Sequence, residues 1–320
     1  MNSTLQPPRT LLERLWRASP PLTAVGLLML GVGVPSLVGI FVDERVITGA
    51  PAWLKPFKFA ISTAVYSLTL AWIFQWLSDW PRVRRVVGWT TAIVFVLEVA
   101  IIDLQAWRGT TSHFNMSTPV NQALFVVMGA AIIIQTFVSV AVAVALWRQQ
   151  FADRALGWAL RLGMTLTIVG AFTGSLMTRP TADQLAHARA GGGMTTAGAH
   201  SVGGVDGGPG VPVTGWSREH GDVRVPHFIG LHAIQVLALF AVTLRRWRRD
   251  ERIRVRLVMA AAASYASLFL VLLWEALRGH SIVAPDPVAF ASLAMWAALT
   301  VLTLGWIVIA SRNRPNQVTV

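Results

Sequence analysis

The stretch LTAVGLLMLGVGVPSLVGIFV, residues 22–42, decides the fold class, because it runs its whole length without a charged side chain. Lipid offers no partner to an unpaired backbone N–H or C=O, so a chain crosses a bilayer core of about 30 Å as a helix of roughly 20 apolar residues. The run is too long for the short apolar core of a secretory signal, and we read it as a retained helix. Seven further runs follow at 57–78, 86–107, 119–147, 155–177, 227–244, 255–277 and 288–310. The expected fold is therefore all-α, a polytopic transmembrane bundle of about eight spans. Its expected organisation is a cytoplasmic amphipathic segment at 1–21, helices one to five over 22–177, a Gly-rich extracytoplasmic loop at 178–226, helices six to eight over 227–310, and a cytoplasmic tail at 311–320.

Composition agrees. Hydrophobic residues make up 54% of the 320 positions and charged residues only 13%, where a soluble domain carries about a quarter. A formal charge of +12 invites a nucleic-acid reading, but phosphate-binding residues cluster on one face of a soluble module. Here they occupy short gaps between apolar runs, so the expected partner is the lipid bilayer and not nucleic acid. The absence of cysteine excludes disulfides, thiolate metal sites and cysteine nucleophiles.

Positive residues are retained in the cytoplasm. With the N terminus inside, the inner segments hold Arg9, Arg14, Arg17, Arg82, Arg84, Arg85, Arg148, Arg154, Arg161, seven arginines between Arg245 and Arg256, Arg312 and Arg314, which is 18 of the 27 basic residues. Both termini are thus expected in the cytoplasm. Leu11, Leu12, Leu15 and Trp16 interleave with Arg9, Arg14 and Arg17, the pattern of a short amphipathic helix on an anionic leaflet that Pro20 and Pro21 end. The Arg-Arg-Trp-Arg-Arg run from Arg245 reads as a similar anchor. In the fifth run, Gly170 and Gly174 form a small-xxx-small pair suited to close helix packing.

The long gap carries nine glycines between residues 191 and 210, with Pro209 and Pro212 close by, so regular structure is not expected there. A flexible linker and a folded lid both fit, the latter favoured by Trp216, His200, Asp206 and Asp222.

Three carboxylates sit within or at the ends of apolar runs: Glu98, Asp103 and Glu275. A lipid-facing charge at the helix centre costs about 2.5–3.5 kcal/mol, so such groups face the bundle interior and mark function; these three are the candidate catalytic residues. Glu98 shares a helical face with Ile102 and Gln105, and Asp103 points about 140° away. Glu275 has Arg278 at a spacing that permits an ion pair. All seven histidines, His113, His187, His200, His220, His227, His232 and His280, fall on the extracytoplasmic side of this topology. His113, His227 and His232 are the candidate metal ligands, and imidazole with carboxylate suits a transition metal, while haem is the variant with His232 as axial ligand. His227 and His232, five apart, do not chelate one ion in the manner of an HExxH pair.

The loop after the third span reads Gln105, Trp107, Arg108, Gly109, Ser112, His113, Asn115, and that after the seventh reads Trp274, Glu275, Arg278, Gly279, His280, an internal echo that interfacial Trp and Arg preference also produces. These two regions, with residues 198–203 and 221–228, resemble segments of uncharacterised predicted polytopic membrane proteins of bacteria. The resemblance implies a bacterial cytoplasmic membrane and carries no activity. Three functions compete: a membrane-embedded enzyme or redox protein with an extracytoplasmic His/carboxylate site, a proton-coupled transporter using Glu98, Asp103 and Glu275, and a membrane scaffold or assembly factor. No phosphate loop, dinucleotide fingerprint or nucleophile elbow occurs.

Overall fold

The computed structural model describes residues 10–247 and 250–312; Arg9, Arg248, Arg249 and Arg314 of the basic clusters lie outside them. Among the described residues seven helices are long and apolar enough to cross a membrane, or eight if a bent pair counts as one span. The helical expectation holds to within a few residues at most ends.

The chain divides into two units, residues 1–149 with 180–197, and residues 150–179 with 198–320. In the first, α1 (Leu11–Ala18) is an amphipathic helix closed at its N-terminus by a Thr10/Glu13 capping box. Leu15 is buried while Leu11, Leu12 and Trp16 stay exposed. The spans are α2 (Pro20–Val42), α3 (Leu54–Ile73, continued by one 3-10 turn to Trp76), α4 (Pro81–Trp107) and α5 (Pro119–Arg148). A two-residue turn at Thr48 and Gly49, both at positive φ, closes the hairpin β1 (Val46–Ile47) to β2 (Ala50–Pro51) between α2 and α3. Asp43, the C-cap of α2, accepts the Trp53 indole N–H at 2.7 Å and so fixes where α3 begins.

In the second unit the spans are α6 (Arg154–Met177), the pair α8 (Arg224–Leu231) and α9 (Ala233–Trp247), α10 (Glu251–Leu277) and α11 (Pro287–Arg312). The sixth span is broken at His232 by a 42° bend. Backbone freed inside lipid must be satisfied by neighbouring side chains. Here the Thr167 hydroxyl donates to Leu231 O and accepts from Ile234 N, and Tyr265 Oη donates to Ile229 O.

The two units repeat one plan. The first and second spans of each meet at glycines of equal spacing: Gly26 and Gly33 against Ala64 and Ala60, Gly163 and Gly170 against Ile234 and Gly230. An added Cβ at Gly170 would lie 2.5 Å from the backbone of Gly230, so this approach tolerates only glycine on both sides. The third spans end alike, on Arg108 and Arg278 followed by Gly109 and Gly279 at φ +71° and +82°, with three matching backbone hydrogen bonds around each turn. The fourth spans start at Pro119 and Pro287 behind the caps Thr118 and Asp286, each accepting from the backbone N–H three residues on. Asp43 grips Arg45 through the same bonds by which Asp222 grips Arg224. The sequence echo is thus one visible piece of a repeated four-span architecture.

The long loop is folded. Residues 182–189 form α7 (Ala182–Arg189), and β3 (Ser201–Val202) pairs with β4 (Gly221–Asp222). This places a short strand inside the Gly-rich stretch where none was expected. The cause is Asp206, whose carboxylate accepts the backbone N–H of His200 and Ser201 and the His200 ring, taking the place of missing main-chain partners.

Candidate acid-base site

Lys55 is the second residue of α3, placed there by the hold of Asp43 on Trp53. Its Nζ lies 3.0 Å from Nδ1 of His113, and the Ser112 hydroxyl reaches the same nitrogen at 3.1 Å. His113 belongs to the loop joining α4 to α5, where Thr111 Oγ1 donates to its carbonyl oxygen. Asn115 ties that loop together, donating to Thr110 and Thr111 and accepting from Ser117. The His113 ring sits among Phe59, Phe114 and Phe125 at centroid distances of 5.7, 6.1 and 6.4 Å. Phe114 holds φ +62°, a strained setting for a bulky residue that turns the chain at this point.

The other ring nitrogen, Nε2, faces Oε1 of Glu98 at 3.7 Å. That is ion-pair reach, longer than a hydrogen bond. Glu98 is 2% exposed, and its Oε2 is buried with no partner among the described residues. An ammonium can only donate, so Nδ1 accepts from Lys55, and the neutral imidazole then carries its proton on Nε2, directed at Glu98. Lys55, His113 and Glu98 thus form successive contacts from the start of α3 to a buried carboxylate of α4. The segment 195–197 closes on the same loop: Met116 N donates to Thr195 O and Ala197 N to Phe114 O, with Asn115 bridged to Thr196.

The remaining candidates divide between the units. Ile102 and Gln105 share the buried face of Glu98 as expected. Asp103 faces elsewhere, half-buried, with Oδ1 lacking a partner among the described residues. In the second unit, His227 fastens helices: its Nδ1 donates to Gly170 O at 2.8 Å, and its ring packs on Gly174. The pair Gly170 and Gly174 thus serves packing. His232 lies at the break of the sixth span, its ring 4.3 Å from that of Phe228. Glu275 is 2% exposed, and neither carboxylate oxygen has a hydrogen-bond partner among the described residues. The ion pair with Arg278 that its spacing permits does not form. Arg278 is already the C-cap of α10, and its guanidinium turns to Asp286 at 2.6 Å and over the Trp274 ring.

Among the described residues no three His, Cys, Asp or Glu side chains gather where they could hold a metal ion. The residue that the sequence reading passed over is Lys55. Its signal was present: of 27 basic residues only Lys55 and Lys58 are lysines, one helical turn apart at the head of α3. No protein-family model, curated protein or solved structure matches the chain.

Proposed function

We propose that this multi-pass membrane protein is a membrane-embedded enzyme whose first unit carries an acid-base site of Glu98, His113 and Lys55. The observation that carries the reading is the imidazole held between an ammonium and a buried, half-partnered carboxylate. When Nε2–H passes its proton to Glu98, Nδ1 takes one from Lys55. The result is a carboxylic acid, a neutral imidazole of the other tautomer, and a neutral amine at Lys55. The first step needs a closure of under about 1 Å to reach hydrogen-bond distance. A neutral lysine is a base or a nucleophile toward an electrophilic carbon, and arginine cannot take that role because it stays protonated. The arginine distribution supports a cytoplasmic membrane with both termini inside and this site at the outer end, where a substrate would meet it.

The redox version, with a transition metal or haem on His113, His227 or His232, gains less support. The Nδ1 atoms of His113 and His227 are engaged in hydrogen bonds, and among the described residues no third ligand joins any pair. Proton-coupled transport draws on a different observation: the buried Ser67 and Thr91 hydroxyls and Gln135 Oε1, on the spans α3, α4 and α5, also lack partners among the described residues. That reading requires proton flux in proteoliposomes that Glu98→Gln abolishes.

The two lysines provide the test of the acid-base site. An amine-reactive acylating reagent applied to the protein in nanodiscs, followed by peptide mapping, reports Lys55 against Lys58 as internal control. Glu98→Gln and His113→Gln should each lower the Lys55 to Lys58 labelling ratio about a hundredfold, the lower end of the effect expected of one lost proton-transfer partner. An unchanged ratio in both variants would reject the relay.

A further inference from the structure

The repeated plan makes a comparison within one chain. Gln105 of α4 and Glu275 of α10 stand at the same place, three residues before the Arg that ends each helix. Every polar atom of Gln105 is engaged: Nε2 donates to Thr111 O and Asn121 Oδ1, and Oε1 accepts from Arg108. The same position in the second unit holds a carboxylate with both oxygens unpartnered, while its Arg278 is drawn away to Asp286. A neutral amide therefore satisfies this fold position, and the fold does not require a charge there. An unpartnered buried carboxylate costs stability, so its presence asks for a use.

Glu275 opens on a cavity of about 10 Å³ that Asp222 and His280 also line, between Val225 and Leu272. That is about the space of one water-sized ligand. Asp222 is committed, accepting from Arg224 and from Ser217 N. Arg278 is committed to Asp286, and His280 Nε2 lies 3.6 Å from the same Asp286. Glu275 and His280 are the two groups facing the cavity that a proton can leave or join without breaking one of these bonds.

We propose that this cavity is a second proton-exchange site, in which one water or hydronium connects Glu275 to His280. The step balances as a transfer: the carboxylic acid of Glu275 gives its proton to the bound water, the water gives one to His280, and Glu275 is left as carboxylate. His280 is 37% exposed at its side chain and delivers the proton to solvent. The site is independent of the Lys55, His113 and Glu98 line, which has no member in the second unit.

Infrared spectroscopy of the full chain in nanodiscs tests it through the protonated-carboxyl stretch. Glu275→Gln is isosteric and places there the residue type that the first unit carries at this position; its elution and melting temperature verify that it folds. The expected result is a pH-dependent carboxyl band that Glu275→Gln removes, whose midpoint moves by about one pH unit or more in His280→Gln and not in His113→Gln. Val225→Leu, which adds about one methylene to the cavity wall, should keep the band and abolish its response to His280→Gln. A wild-type spectrum identical to that of Glu275→Gln, or a band indifferent to His280→Gln, would overturn the proposal. Lys55 labelling unchanged in Glu275→Gln separates this outcome from failure of the first site.

Discussion

His113 Nε2 stands 3.7 Å from Glu98 Oε1, and the other oxygen of that carboxylate has no hydrogen-bond partner among the described residues. A buried oxygen without a hydrogen bond costs stability. Glu98→Leu should therefore match wild type in stability or exceed it by up to about 2 kcal/mol, since an apolar side chain removes the cost of the orphaned oxygen. The same variant should lose the preferential labelling of Lys55. A protein markedly less stable than wild type would mean that Glu98 holds helices together.

Gly170 and Gly230 meet backbone to backbone, and neither helix can yield by turning a side chain. Gly170→Ala should destabilise the second unit by about 1–3 kcal/mol, the usual cost of overpacking, seen as an earlier thermal transition in detergent. Gly31→Ala makes the control, because a Cβ there meets nothing within 4 Å; it should leave the transition in place.

The spans were legible because each imposes its own periodless apolar run on the sequence, and α5 and α11 start within a residue of where those runs begin. What one-dimensional reading lost were relations across helices. Lys55 drew no notice because lysine and arginine count alike toward orientation, and only its proximity to His113 sets it apart. Arg278 looked like the partner of Glu275 because three-residue spacing assumes a continuing helix, which ends at Leu277. The Gly-rich loop looked irregular because Asp206 supplies hydrogen bonds that composition does not reveal.

Asp206 gives that loop a pH dependence with a definite sign. Burial raises its carboxyl, but the bond and charge of the His200 ring, with the backbone N–H of His200 and Ser201, outweigh burial and hold it well below the usual carboxylate range. A carboxyl held down in the folded state contributes stability that is fully present above its unfolded pKa, near 4, and lost as pH falls below that value. Amide protection at His200 and Ser201, corrected for intrinsic exchange, should stay level from neutral pH to about 4.5 and decline below about 4. Asp206→Asn should lower it by about 2 kcal/mol at neutral pH, the worth of a charge-assisted hydrogen bond, and flatten the acid decline. Protection equal in the two proteins at pH 7 would show that the β3–β4 pairing stands without it.

Asp43 positions Lys55 without touching it. Its carboxylate, held well below the usual range by Arg45, is the acceptor that anchors Trp53 over Gly39 and so sets the first turn of α3. Asp43→Ala removes the anchor and lets the head of α3 fray, moving Lys55 away from His113. Asp43→Asn keeps a carbonyl oxygen for the indole N–H and gives up only the Arg45 ion pair. The labelling ratio of Lys55 to Lys58 should fall in Asp43→Ala and remain near wild type in Asp43→Asn. That ordering separates positioning from charge: if Asp43 mattered through its field on the relay, the asparagine variant would fall as far as the alanine one.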